Sequence, residues 1–221
     1  MKVCFVSRGT PDSFSGVADG DVDLTVFAFQ GGVPVSYEKE LRGETAAFSK
    51  IAEISRRYGV TVCGLQTDAR GIKRKSVLVA ENGRILGVSD MVNVIDGAWN
   101  VGANTRVFQT KKCRIGIVVA EDLYFPETVK TLSVCGSDFI VCPYPSVIGT
   151  VESALIRSHA FCFGVPIFLC ARGYHAAASV DGAIAFAGAE SPAEFTFSPM
   201  KEYHLVETRL RGFYRAPKKD F

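Results

Sequence analysis

The sequence predicts a mixed α/β fold with helices packed outside layers of sheet. Three observations carry that prediction. Apolar, β-branched runs alternate with amphipathic stretches along most of the chain. Two hairpin dipeptides, Asn82-Gly83 and Asp181-Gly182, interrupt the alternation, so the sheet cannot be purely parallel. The strands are apolar on both faces, so both faces need cover, and helices outside two sheets would supply it.

Lys2 to Ser7 reads as the first strand, and Gly9 to Asp21, rich in Gly, Ser and Asp, as a loop. Leu24 to Phe29 (LTVFAF) is a buried strand ended by Gln30-Gly31-Gly32. Thr45 is placed to cap a helix on which Phe48, Ile51 and Ala52 share a face, and Gly59 to stop it. Val60 to Leu65 is the next strand. The arms SVLVAE and RILGV form a hairpin about Asn82-Gly83. Ser89 to Gln109, with the single tryptophan Trp99, shows no period. Cys113 to Val119 is the central strand.

Thr128 to Cys135 is a short helix closed by Gly136, and Phe139 to Cys142 is a strand that runs into Pro143-Tyr144-Pro145. A longer helix, Val151 to Phe163, stops at Gly164, and Pro166 to Ala171 is another strand. His175 falls in a loop before the second hairpin turn, while His159 lies on the longer helix. Tyr203 to Thr208 reads as a strand, and 212–221 as a basic, flexible tail. No repeat or linker divides the chain, so 1–221 reads as one domain.

The composition excludes several classes of function. The 221 residues are 48% hydrophobic and 22% charged, which suits a globular domain with a large core. A net charge of +2, with basic residues in short separated clusters, gives no nucleic-acid footprint. No apolar run is long enough to span a bilayer, and the opening MKVCFVSRGTPDS reads as a strand rather than a signal peptide. Seven cysteines, an odd number set in apolar runs, read as reduced thiols in a cytoplasm. The scattered histidines and the lack of a CxxC pair imply no metal, and no cofactor motif is present.

Chemistry concentrates at Arg114 to Glu127, RIGIVVAEDLYFPE. A buried strand there ends at Ala120, and two carboxylates, Glu121 and Asp122, and a Phe125-Pro126-Glu127 turn follow. Strand ends of this kind are where α/β folds place their sites. Glu121, Asp122 and Glu127 are pocket candidates. Cys142 joins them, because its strand should lie parallel beside the one ending at Ala120.

These residues resemble the nitrilase, or carbon–nitrogen hydrolase, superfamily. DLTVFAF resembles the family's DLVVFPE strand, SVLVAENGRILGVSDM its hairpin, and RIGIVVAEDLYFPE its RIGVLICYDLRFPE. ALIRSHAFCFGVPIFLCARG is similar to its RARAIENGVPVVAANR helix and strand. The resemblance implies a nitrilase-like four-layer αββα sandwich and a homodimer formed through the helix Val151 to Phe163. It also implies a Glu–Lys–Cys mechanism of general base, oxyanion-stabilising cation and thiolate nucleophile. Position by position, those three fall on Phe29, Met91 and Ala120, none of which can perform the role. The nearest lysine to Met91 is Lys75, at the start of the hairpin. The resemblance also gives Asp122 and Glu127 a structural role as supports of the turn.

The expectation is therefore a pseudoenzyme without thiol hydrolase activity. It would bind a small amide-like or carboxylate ligand, or a protein partner. The alternatives are an amide or nitrile hydrolase rebuilt around Cys142, and an interaction module whose pocket is filled by Phe29 and Met91.

Overall fold

In β1 (Lys2–Val6), Val3 and Phe5 enter one apolar cluster while Cys4 and Val6 enter another. The two-residue period of a strand divides the other central strands in the same way, so each sheet is covered on both faces. The computed structural model describes residues 1–17, 21–95 and 97–198. The strand expected at Tyr203 to Thr208 and the tail at 212–221 lie outside the described residues.

After β1 come β2 (Leu24–Phe27), the two-residue β3 (Val35–Ser36), α1 (Tyr37–Leu41) and α2 (Ala47–Ile54). The hairpin strands follow: β4 (Val60–Ala69), β5 (Ile72–Glu81) and β6 (Arg84–Asp90). The second half runs β7 (Arg106–Gln109), β8 (Arg114–Ile117), a single 3-10 turn (Ala120–Tyr124) and α3 (Pro126–Val134). It continues through β9 (Phe139–Pro143), α4 (Thr150–Phe163), β10 (Ile167–Ala171), β11 (Tyr174–Ala178), β12 (Ile184–Gly188) and β13 (Ala193–Thr196).

Two sheets result. One has the order β13-β1-β2-β4-β5-β6, with β3 beside β4; the other is β12-β11-β10-β9-β8-β7. β1, β2 and β4 are parallel to one another, as are β8, β9 and β10. Hairpins close the sheets with antiparallel strands. Asn82 and Gly83 take φ of 49° and 77°, the left-handed pair that a tight two-residue hairpin needs.

The layers follow from the clusters. Phe5, Val26, Val62, Val79, Ile115, Ile117, Val141 and Phe168 fill the space between the sheets. α2 covers the outer face of the first sheet through Phe48, Ile51 and Ile54. α3 and α4 cover the second through Val129, Leu132, Ile156 and Ala160. This is an αββα sandwich. No helix among the described residues is long and apolar enough to cross a membrane.

Local details depart from the sequence reading. The segment 89–109 read as irregular, but it contains β7, which pairs with β8. Thr45 does not cap α2. Its N-cap position is Ala46, and the Glu40 carboxylate reaches across from α1 to accept the amides of Ala47 and Phe48 at 3.0 and 3.1 Å. A carboxylate there meets two orphan N–H groups and the positive end of the helix dipole, worth about 1 kcal/mol.

His175 lies on β11, not in a loop, and is fully buried between Phe5 and Phe186, with ring centroids 5.1 Å away on each side. Neither ring nitrogen has a hydrogen-bond partner among the described residues. Burial pushes its pKa below the ordinary value of 6.5, against a weak upward pull from Glu190. The unfolded chain therefore binds the proton first. His175 contributes stability above pH ~6.5, and that contribution falls as pH drops below this value toward the folded pKa. In urea titrations between pH 8 and 5, His175→Phe is expected to lose less stability on acidification than the unmodified chain. Equal losses would contradict this placement. The comparison between variants cancels His159, which burial also lowers, and Asp122, which burial raises.

Candidate active-site elbow

The site is built from the ends of three elements. β8 runs Ile115, Gly116, Ile117 into Val118 and Val119; Ile115, Ile117 and Val119 pack between the sheets, Val118 packs on the helix side, and Gly116 lies close against Ser137 and Ile140. The chain then turns sharply at Ala120, which has φ of +52° and no solvent exposure. An alanine in the left-handed region costs roughly 1–2 kcal/mol, so the surroundings must hold it there. Asp122 supplies much of that hold. Its backbone N–H donates to the Val119 carbonyl at 3.1 Å. Its carboxylate accepts the backbone amides of Val92 (3.1 Å) and Asn93 (2.8 Å), and the Asn93 side-chain amide (2.9 Å). Asn93 donates in turn to the Thr128 hydroxyl on α3. Asp122 thus ties the turn after β8 to the chain leaving β6, where Met91 sits.

Phe29, Met91 and Ala120 belong to one buried apolar cluster between the sheets, with exposures of 4%, 1% and 0%. Phe29 follows β2, and Gln30 donates to the Gly64 carbonyl at 2.7 Å. Gly64 has no side chain because there is no room for one. A Cβ there would lie 2.6 Å from Phe29 Cδ2 and 2.8 Å from Pro143 Cβ. Gly64→Ala is expected to lower stability by about 1–3 kcal/mol through overpacking, read as a shift in urea midpoint. An unchanged midpoint would show that Phe29 is loosely held.

A charged pair stands beside this apolar floor. Lys75 Nζ donates to Glu121 Oε1 at 2.5 Å, and the Lys75 ammonium sits 5.6 Å from the Trp99 ring centroid. The side chains are 10% and 21% exposed, so the pair is largely withdrawn from water. Glu121 Oε2 is buried and has no hydrogen-bond partner among the described residues. Lys75 is the lysine nearest to Met91 in the sequence, and two features place it here. Lys75 alternates with Val77 and Val79, which both face the inter-sheet layer. It also lies opposite Met91 in the hairpin, where Met91 N donates to Lys75 O at 2.9 Å.

The other candidates separate. Asp122 is a buried support, as described. Burial pushes its pKa up to about 6, against the three donors that favour the ionised form. Glu127 is exposed in the first turn of α3, where a carboxylate suits the helix dipole; it does not join the pair. Cys142 has no exposure and packs in the cluster under α3 and α4, with Ile156 and Ala160. Its thiol lies 3.9 Å from the Ala120 carbonyl oxygen, and burial pushes its pKa far up. The expectation that both strand ends open on one pocket fails for this side chain. Val141 points between the sheets, so Cys142, one residue on, points to the helices.

An αββα sandwich with a left-handed elbow after its central parallel strand defines a class: this is the nitrilase-superfamily fold, and the chain has it. No protein-family model matches the sequence. A Schizosaccharomyces pombe protein named as a probable nitrilase is 22% identical over 127 residues, which is 54% of this chain and 47% of that protein. The chain thus spans about half the length of the curated relative it matches. Nit3 of Saccharomyces cerevisiae, a member of branch 10 of the nitrilase superfamily, superposes with a TM-score of 0.73 at 15% identity, covering 100% of this chain and 97% of that one. A cysteine-to-alanine mutant of a Nesterenkonia amidase from the same superfamily, in complex with butyramide, gives 0.72 at 15% identity over 88% of each chain.

Proposed function

We propose that this chain is a divergent nitrilase-superfamily protein that lacks thiol hydrolase activity and binds a small amide-like ligand at the elbow. One observation carries the reading. The backbone elbow at Ala120 is kept at φ +52°, while the side chains that would do the chemistry are Phe29, Met91 and Ala120. An alanine has no atom to attack carbon, and neither phenylalanine nor methionine can move a proton or carry charge. The amide class is carried over from the butyramide bound by the Nesterenkonia mutant. A rebuilt hydrolase using Cys142 finds little support, because that thiol is sealed under the helices. A pure interaction module is the second reading, and the near-complete burial of Phe29 and Met91 favours it.

The free thiols fit a reducing compartment such as the cytoplasm, and the exposed Val151 and Ala154 of α4 fit a homodimer face. The test is peptide mapping after brief treatment with an electrophilic amide such as chloroacetamide. Cys135 and Cys162, which are exposed, are expected to react, and Cys142 to remain unmodified. Preferential labelling of Cys142 at low reagent would overturn the reading.

A further inference from the structure

We infer that the base of the sandwich, between the sheets at the end away from Ala120, holds a small-molecule site of its own. Its ligand is neutral and largely apolar, the size of a two-ring aromatic with one hydroxyl or N–H group. The inference is independent of the reading of the elbow. A cavity of about 250 Å³ opens at this end, with Leu24, Val60, Ile115 and Phe139 as its apolar floor. Ile115 precedes Ala120 by five residues of mostly extended chain, which sets the floor about 16 Å from the elbow.

The cavity exists because the inter-sheet layer is filled at one end and not at the other. Toward the elbow, Phe29 and Met91 close it and are themselves buried. At the base, Leu24, Val60 and Phe139 are the first residues of β2, β4 and β9, and Ile115 is the second of β8. All four belong to the inter-sheet cluster, and Met1 and Cys113 pack against it from the rim, only partly buried. Side chains that line an unfilled space lack contact atoms on that side, so an apolar body of matching size gains by entering. A dry cavity of about 150 Å³ accommodates benzene. At about 250 Å³ this one has room for a second fused ring.

The mouth is strapped and its charges are balanced. The Thr110 hydroxyl closes the turn between β7 and β8, donating to the Cys113 carbonyl at 2.7 Å and accepting the Cys113 amide at 3.0 Å. That turn belongs to the second sheet and is tied across the opening to the first. The Lys111 amide donates to Glu81 at 3.0 Å, and the Lys112 ammonium pairs with Asp23. Around the mouth, Lys111, Lys112 and the Met1 ammonium stand against Asp21, Asp23 and Glu81, so an anion finds no excess of positive charge. The Asp21 and Glu81 carboxylates at the rim are acceptors to which a ligand hydroxyl or N–H can donate.

The test titrates the full chain with 2-naphthol, read by its fluorescence, with 2-naphthoate as the anionic control. Saturable binding of 2-naphthol is expected, at least ten-fold tighter than that of 2-naphthoate. Cys113→Trp, which fills the cavity from its rim, is expected to weaken 2-naphthol binding at least ten-fold. Cys113→Ser, nearly equal in volume to the native residue, is expected to retain it. Thermal melts identify a variant that fails to fold, and the unmodified chain then reports through its own thiols. Saturating 2-naphthol is expected to slow iodoacetamide labelling of Cys113 at least five-fold while leaving the exposed Cys135 and Cys162 unchanged. No saturable binding up to 1 mM, equal binding of 2-naphthoate, retained binding in folded Cys113→Trp, or labelling of Cys113 indifferent to 2-naphthol would each overturn the inference. Neither probe carries an amide or nitrile, so these outcomes leave the reading of the elbow to its own tests.

Discussion

Ala120→Cys is expected to create a buried thiol and no amide hydrolase. On the reading proposed above, the elbow would then carry a thiol at the position the resemblance assigns to the nucleophile. Two physical reasons keep it silent. The first is the state of thiols in this core: burial pushes Cys4 up to about 12 and raises Cys63, Cys142 and Cys170 as well. A thiol at position 120, with no exposure to water, would sit in the same apolar cluster as Phe29 and Met91 and stay protonated at pH 7. The second is that the site offers that thiol no base at 29 and no cation at 91. Where such residues act as one unit, losing a member costs on the order of 10⁶ in rate, so supplying one member restores little. Ammonia release from butyramide by this variant should match the buffer blank. A rate more than ten-fold above it would mean that Lys75 and Glu121 already act as the missing partners.

The largest expected loss of stability is at Asp122. Asp122→Ala should cost about 3 kcal/mol, because it strands the amides of Val92 and Asn93 and the Asn93 side chain in a buried turn. The effect should appear as a lower urea midpoint with an unchanged slope. It should also loosen the chain carrying Met91 and the elbow at Ala120, since Asp122 is the tie between them. The sign of the pH response is separate. The folded-state pKa of about 6 lies above the ordinary 3.8, so the buried charge opposes folding at neutral pH. That penalty is relieved as pH falls through 6 toward 4, and Asp122→Asn should abolish this part of the pH response. A loss below 1 kcal/mol for Asp122→Ala would show that the elbow is held by other contacts.

The two-residue period explains most of what could be read from the sequence. It identified the central strands, and Asn82-Gly83 and Asp181-Gly182 identified their hairpins, because those turns need left-handed backbone. The elbow was visible as a strand that stops at Ala120 before a carboxylate pair. What escaped reading depends on parity and on distant partners. Cys142 lies at the right strand end but on the wrong face. Lys75 lies at the wrong end of the hairpin in sequence, yet beside Met91 in space. Glu40 caps α2 from another helix, so no local pattern could reveal it. The β7 strand, Arg106–Gln109, is short and only Phe108 is buried, too little for a pattern.

The central proposal is that the elbow at Ala120 carries no nucleophile able to attack an amide or nitrile. The most direct measurement is ammonia release from short amides and nitriles by the full chain at micromolar protein. The account predicts no release above the buffer blank, with butyramide recovered unchanged after overnight incubation. Saturable release that is lost on substitution of Glu121, Lys75 or Cys142 would contradict it.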